Sequence, residues 1–266
     1  MYETTYHRAS SVDEAASLFA KGSEAKYLAG GQTLLPVMKQ RLASPSDVID
    51  LARIKELVGI APTGNGIEIK GATTHHDVAQ SDAVKKAIPA LAYLASVIGD
   101  PAVRHRGTIG GSIANNDPAA DYPAAVVALN ATVKTNKRTI AADEFFTGLF
   151  STALQDGEII TGVSFPVTDK AGYSKFRNPA SRFALTGVFV AKAPGGEVRV
   201  AAVGASQNGV MRVPAIEAAL KANWSAGALD SVKVSADGLL SDIHGSAAYR
   251  ANLIKVMAQR AVTAAG

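Results

Sequence analysis

Two short stretches of this chain each place a pair of glycines and a hydroxyl residue after an apolar or extended segment. The first is LAGGQTLLPVMK, residues 28–39, and the second is GTIGGSIANNDPAAD, residues 107–121. Glycine lets the backbone approach a ligand closely, and the start of a helix offers unpaired backbone N–H groups. The first stretch therefore describes a pyrophosphate cradle. A strand-to-helix turn that needs glycine only for packing has the same pattern, and this alternative stays open.

The second stretch is rich in backbone N–H groups and short polar side chains, and it has little bulk for a core. It can wrap a ligand that carries several hydroxyls and phosphates. Asp117 and Asp121 are candidate acceptors for ribose or ribityl hydroxyls. Asp121 is also a candidate N-cap for the helix that follows, because Asp is favoured at that position. The two roles are compatible.

Composition excludes several functional classes. The chain of 266 residues has no cysteine, so it holds no disulfide, thiolate nucleophile or cysteine-ligated cluster. Its five histidines lack metal-ligand spacing, and its basic residues are not interleaved with aromatics as in nucleic-acid platforms. We therefore expect no metal site and no nucleic-acid partner. No apolar run is long enough for a membrane span and the N-terminus lacks a secretory pattern, so we expect a cytoplasmic protein.

The first part of the chain alternates helix and strand. Ser11 and Glu14 have capping-box spacing and predict a helix over 12–21, and LLPVMKQRLA (34–43) predicts a second helix with Pro36 in its first turn. Strands are predicted at 25–30 and 47–51. This order is typical of a small α/β unit.

Further along, a strand is predicted over 66–74, a helix over 84–99 and a strand over 157–167. After residues 168–172 the pattern changes to successive short strands, which indicate an antiparallel sheet, with two helices following. We predict an α+β chain with an N-terminal domain at 1–170, divided into subdomains of about 1–56 and 57–170, and a C-terminal domain at 171–266.

The chain resembles the FAD-binding medium subunit of the molybdenum hydroxylases, the family of carbon monoxide dehydrogenase, xanthine dehydrogenase and bacterial aldehyde oxidoreductases. The resemblance covers nearly the whole chain. It rests on AGGQTLLPVMKQRLA, GATTHHDV, IGDPAVRHRGTIGGSIANNDPAADYPAA, DGEIITGVSFP and DIHGSAAYRANLIKVMAQRA. It implies one non-covalent FAD held by both glycine loops, in a vanillyl-alcohol-oxidase/PCMH-like domain of two α/β subdomains followed by a small C-terminal α+β domain.

The resemblance also implies which residues contact FAD. Arg177 stands where relatives frequently have lysine, and the planar guanidinium is not equivalent to an ammonium. Tyr249 and Arg250 are expected to hold the last helix on the sheet. The residues expected at the cofactor are Ala29, Gly30, Gly31, Gln32, Thr33, Leu34, Leu35, Thr73, Thr74, Ile98, Thr108, Gly110, Gly111, Asn115, Asp121, Ile160 and Arg177.

No residue set indicates a catalytic triad or a pair of catalytic carboxylates, so we expect no catalytic residue and assign the chemistry to the cofactor. The resemblance implies an electron-transfer subunit of a heterotrimer or its dimer. A large molybdenum–pterin subunit would oxidise an aldehyde, CO or an N-heterocycle, and a small subunit with two [2Fe–2S] clusters would deliver the electrons. The flavin would pass them to an external acceptor. The alternative is a flavoprotein oxidase that acts alone on a small molecule.

Overall fold

The computed structural model describes residues 1–266, and its N-terminal part is a small parallel sheet with two helices. The elements are β1 (Thr5–Arg8), α1 (Val12–Lys21), β2 (Lys26–Leu28), α2 (Leu34–Lys39) and β3 (Asp47–Asp50). The strands lie in the order β1-β3-β2. Helix α1 has the predicted bounds, and the Ser11 hydroxyl accepts the N–H of Glu14 as its cap. Helix α2 is shorter than predicted and ends before Arg41, whose φ is +62°.

The second part of the chain folds around a five-stranded antiparallel sheet. Its elements are β4 (Ile60–Thr63), β5 (Gly66–Lys70), α3 (His75–Gln80), α4 (Asp82–Ala87), α5 (Pro89–Ser96), α6 (Pro101–Arg104), α7 (Ile109–Asn115), α8 (Tyr122–Ala128), β6 (Thr132–Thr135), β7 (Thr139–Ala141), α9 (Ala142–Phe145), β8 (Phe146–Gly148), β9 (Ser151–Thr152) and β10 (Ile160–Pro166).

The order of this sheet is β4-β5-β10-β6-β7, so its last strand in the sequence occupies the centre. Strands β8 and β9 form a separate hairpin. The single helix predicted over 84–99 is two helices, because Pro89 lacks the N–H that would continue α4 and instead starts α5.

The third part is a four-stranded antiparallel sheet between two helical layers. Its elements are β11 (Lys170–Arg177), β12 (Ala184–Lys192), β13 (Val198–Ser206), β14 (Gly209–Arg212), α10 (Pro214–Ala222) and α11 (Ala247–Ala265), in the sheet order β11-β12-β13-β14. Val188 and Val190 pack in the core with α10 and α11, whereas Phe189 packs in the core that contains α8. Because both faces are covered, β12 is apolar nearly throughout.

The α+β architecture predicted from the sequence is confirmed, with a parallel unit, a helix-covered antiparallel unit and a C-terminal antiparallel sheet. The predicted limits of the domains, at about residues 56 and 170, stay predictions. The largest core continues across the second limit, since Tyr173 and Phe189 of the third sheet share it with α5 and α8. None of the helices combines the length and the apolar character that crossing a bilayer requires.

Arg250 ties the last helix to the third sheet, as the sequence predicts. It is 2% exposed, and its Nη1 donates to the carbonyl oxygens of Leu185 and Gly204 at 2.8 and 2.5 Å. Its Nη2 lies 2.8 Å from both carboxylate oxygens of Asp242. Tyr249, by contrast, is 41% exposed and contacts Phe176 edge-on.

Replacing Arg250 with methionine should lower the free energy of unfolding by about 3 kcal/mol or more, because a buried carbonyl pair and the Asp242 carboxylate lose their partner. Urea denaturation measures this loss. Arg260→Met is the matched control, since Arg260 lies on the same helix, is exposed and makes no side-chain hydrogen bond. Equal stability of the two variants would contradict the assigned role of Arg250.

Candidate flavin site

The first glycine loop, residues 29–33, leaves the carboxyl end of β2 and enters α2. Gly31 has a φ of +71°, a left-handed conformation that favours glycine. Gly30 touches the segment before the second loop, because a Cβ on Gly30 would lie 2.2 Å from the carbonyl oxygen of Arg106. The loop therefore needs one glycine for its conformation and one for close packing.

The backbone N–H groups of residues 29–34 donate no hydrogen bond within the protein. Consecutive free N–H groups at a loop and a helix start form a concave donor set of positive character, which suits phosphate oxygens. This is the strongest indication that the loop holds a ligand and is more than a packing turn. A pyrophosphate fits this donor set.

The second loop is built around the start of α7. The Thr108 hydroxyl caps the helix by accepting the N–H of Gly111 at 3.1 Å. Gly110 is buried, and its N–H donates to the carbonyl oxygen of Gly71 at 2.8 Å, while a Cβ there would lie 2.5 Å from that oxygen. Thr108 and Gly110 therefore position the loop. The Thr108 hydroxyl and the Gly110 N–H both form their hydrogen bonds within the protein.

Gly111 is exposed and faces the first loop. A Cβ on Gly111 would lie 3.7 Å from the Cβ of Ala29. We call the surface formed by residues 29–34 and the first turn of α7 the glycine groove. The two loops predicted to bind one cofactor thus lie next to each other.

Thr73 and Thr74 bring a third segment to the groove. The N–H of His75 donates to Gly107 at 2.9 Å, and that of Ile109 donates to Thr73 at 3.1 Å, so Thr74 is bridged to Thr108. The Thr73 hydroxyl both donates to and accepts from the backbone of Gly59. The Thr74 hydroxyl caps α3. The backbone N–H groups of Thr74 and Thr108 donate to no protein acceptor, so their free polar groups belong to the backbone.

The side chain of Asp121 has other hydrogen-bond partners than the sequence predicts. Asp121 stands at the N-cap position of α8, as predicted, but its side chain makes no capping hydrogen bond there. Its Oδ1 accepts from the Tyr173 hydroxyl, and its Oδ2 accepts from the Lys175 ammonium at 2.9 Å. Burial raises the pKa of the Asp121 carboxyl, against the opposing effect of the Lys175 charge. Both oxygens are occupied inside the protein, where Asp121 is 3% exposed.

Two apolar and two polar residues complete the set that was predicted to contact FAD. Ile98 and Ile160 pack against the main core. Asn115 ends α7 and makes no side-chain hydrogen bond, and Arg177 ends β11, is exposed and has no ion-pair partner. Their contact with FAD stays a prediction.

The sequence reading missed Lys175 and assigned no definite role to His75. Lys175 lies two residues after Tyr173, on the same face of β11, and this spacing could have indicated that its ammonium is buried. His75 is buried against Gly107, and its Nδ1 has no partner. Burial, with a smaller effect of Arg104, lowers the pKa of His75 to about 4.

Comparison with known proteins identifies the family. The model of the "FAD binding domain in molybdopterin dehydrogenase" matches residues 2–168, more than half of the chain. The chain belongs to this family. It is an FAD-binding subunit of an oxidoreductase of the molybdenum hydroxylase type.

Three relatives show how far the similarity extends. The nicotine 6-hydroxylase medium subunit of Paenarthrobacter nicotinovorans is 35% identical over 98% of this chain and 96% of that protein. The glyceraldehyde dehydrogenase medium chain of Sulfolobus acidocaldarius is 35% identical, covering 97% of each. In a structure of reconstituted CO dehydrogenase from Oligotropha carboxidovorans, the matching chain superposes with a TM-score of 0.89 at 30% identity, covering 99% of this chain and 98% of that one.

The lowered pKa of His75 predicts how the stability of the fold depends on pH. The folded state binds this proton less tightly than the unfolded state, so stability should fall as pH drops from about 6.5 towards 4. The contribution is at most about 3 kcal/mol. His75→Gln should therefore show a smaller loss of unfolding free energy between pH 7 and pH 4.5 than the wild type. His244→Gln, at an exposed position, should keep the wild-type loss. An unchanged loss in the His75 variant would contradict this.

Proposed function

We propose that this chain carries one non-covalent FAD in the glycine groove and serves as the electron-transfer subunit of a heterotrimeric molybdenum hydroxylase. The observation that carries the proposal is the run of free N–H groups at 29–34, which faces the second glycine loop. Bound flavin supplies two-electron redox chemistry. The protein binds and orients the cofactor and contributes no reacting side chain.

In this proposal the pyrophosphate accepts hydrogen bonds from the backbone of the first loop. The N–H groups of Thr74 and Thr108 are further donors on the other side of the groove. Asn115 lies on the same face of α7 as Gly111, one helical turn along, and its free amide would meet the cofactor beyond the loops. Arg177 would place a positive charge at the end of β11.

The remaining components belong to partner chains. With no cysteine, this chain cannot ligate an iron–sulfur cluster in the usual way. We propose partnership with a large molybdenum–pterin subunit and a small [2Fe–2S] subunit, from which the flavin receives electrons for an external acceptor. Two relatives of equal identity are named for nicotine and for glyceraldehyde. This supports placing substrate choice in the large subunit.

Filling the groove should abolish flavin binding. In Gly111→Val the Cβ would lie 3.0 Å from the Thr108 hydroxyl and 3.7 Å from the Cβ of Ala29, where the cofactor is proposed to lie. The purified variant should be folded and colourless, whereas the wild type should carry about one FAD per chain. Gly64→Val is the control, because a Cβ at Gly64 meets no atom within 4 Å. Equal flavin content in the two folded variants, measured from the visible absorbance, would contradict the assignment of the glycine groove as the FAD site.

The subunit role is tested by expressing the chain alone and together with its partner genes. Alone it should bind FAD and show no turnover of aldehydes, CO or N-heterocycles with artificial acceptors, because it holds no centre that can attack these substrates. Acid precipitation should release the flavin into the supernatant. Substrate oxidation by the isolated chain, or flavin that stays with the precipitated protein, would favour the stand-alone oxidase.

A further inference from the structure

We propose that Lys175 is a positioning residue: its buried ammonium holds both ends of the segment that carries the second glycine loop. The C-terminal sheet would thereby set the affinity of the groove for FAD. The inference rests on the proposed function only in naming FAD as the ligand. The clamp itself is a property of this chain alone.

The geometry of Lys175 is that of a two-ended clamp. Its side chain is 2% exposed, and its Nζ lies 2.9 Å from Oδ2 of Asp121 and 3.2 Å from the carbonyl oxygen of Val97. Val97 follows α5, and Asp121 precedes α8. Residues 98–120, which include the second loop and α7, run between these two contacts. One ammonium from another sheet therefore joins the two ends of this segment.

Other contacts tie the segment between these two ends. Its middle is fixed by the N–H groups of Ile109 and Gly110, which donate to Thr73 and Gly71. Towards Asp121, the carbonyl of Pro118 accepts the N–H of Gly204 at 2.7 Å. Gly204 also belongs to the C-terminal sheet. The end of α7 is held by the hairpin of β8 and β9, because the Asn116 carbonyl accepts the N–H of Phe150 and the Asn116 amide donates to the carbonyl oxygens of Gly148 and Ser151 at 2.8 Å. The segment is therefore held by its own domain as far as Asn116, and by the C-terminal sheet at Pro118.

The buried carboxylate of Asp121 depends on the positive charge of Lys175. Asp121 is 3% exposed, and a buried carboxylate without a cationic partner is strongly unfavourable. If Lys175 is lost, Asp121 keeps only the Tyr173 hydroxyl, and the carbonyl of Val97 loses its donor. The segment must then move or admit water. Either response would displace the two ends of the segment, next to Val97 and Asp121, relative to the glycine groove.

The test uses the full chain and four variants. Lys175→Met removes the charge, Lys175→Arg keeps it, and Asp121→Asn with Lys175→Met removes both charges. Lys134→Met is the control, because Lys134 pairs with Glu68 on the five-stranded sheet and is 38% exposed there. Each protein is stripped of flavin and titrated with FAD, and the visible circular dichroism of the bound flavin is recorded.

We expect Lys175→Met to raise the FAD dissociation constant at least tenfold and to change the flavin circular dichroism. Lys175→Arg should bring the constant part of the way back to the wild-type value, because the charge and the donors return while the larger planar guanidinium does not match the buried ammonium. If Lys175→Met does not fold, the double variant decides, since it leaves no isolated charge. An FAD affinity within twofold of wild type in the folded double variant, or an equal loss in Lys134→Met, overturns the proposal.

A second readout separates the clamp from the flavin assignment. Hydrogen–deuterium exchange of the FAD-free protein should become faster within residues 98–120 in the double variant and stay unchanged there in Lys134→Met. Faster exchange spread evenly over the chain would show a general loss of stability and overturn the positioning role. If the wild type binds no FAD, the proposed function fails, and the exchange pattern still decides the clamp.

Discussion

The relative position of the two glycine loops depends on places where one backbone touches another without a side chain between them. Gly30 lies against Arg106, Gly110 against Gly71, and a Cβ on Gly71 would lie 2.1 Å from the carbonyl oxygen of Ile160. Three segments and the central strand β10 thus approach one another closely. A methyl group at any of these positions would push the segments apart, because packed interiors do not absorb such an intrusion.

The same contacts explain why each loop has a pair of glycines. In each pair the first member, Gly30 or Gly110, packs against another backbone, and the second member lies in the loop itself. Gly31 adopts a left-handed conformation, and Gly111 is exposed beside Ala29. The packing interpretation of the sequence therefore applies to Gly30 and Gly110, and the ligand interpretation of Gly31 and Gly111 stays a prediction.

Local sequence patterns predicted local structure correctly, but they did not predict side-chain partners that are distant in the sequence. The cap at Ser11, the two loops and the change to an antiparallel sheet near residue 170 follow from patterns within a few residues. The partners of Asp121 lie more than fifty positions away, as Tyr173 and Lys175, and no local pattern records such a pairing. The residue at the start of α8, Asp121, was therefore interpreted as a cofactor ligand and as a possible N-cap, the two roles that its neighbours in the sequence allow.

The place of β10 and of Lys175 in the chain has a consequence for biosynthesis. Strand β10 inserts between β5 and β6, which are both translated earlier, and such non-local pairing is slow to form. A nascent chain that has emerged only as far as β10 contains both glycine loops but neither Lys175 nor Gly204. With the role proposed for Lys175, full flavin affinity arises only after the ribosome has released the C-terminal sheet, so truncated chains hold the cofactor weakly.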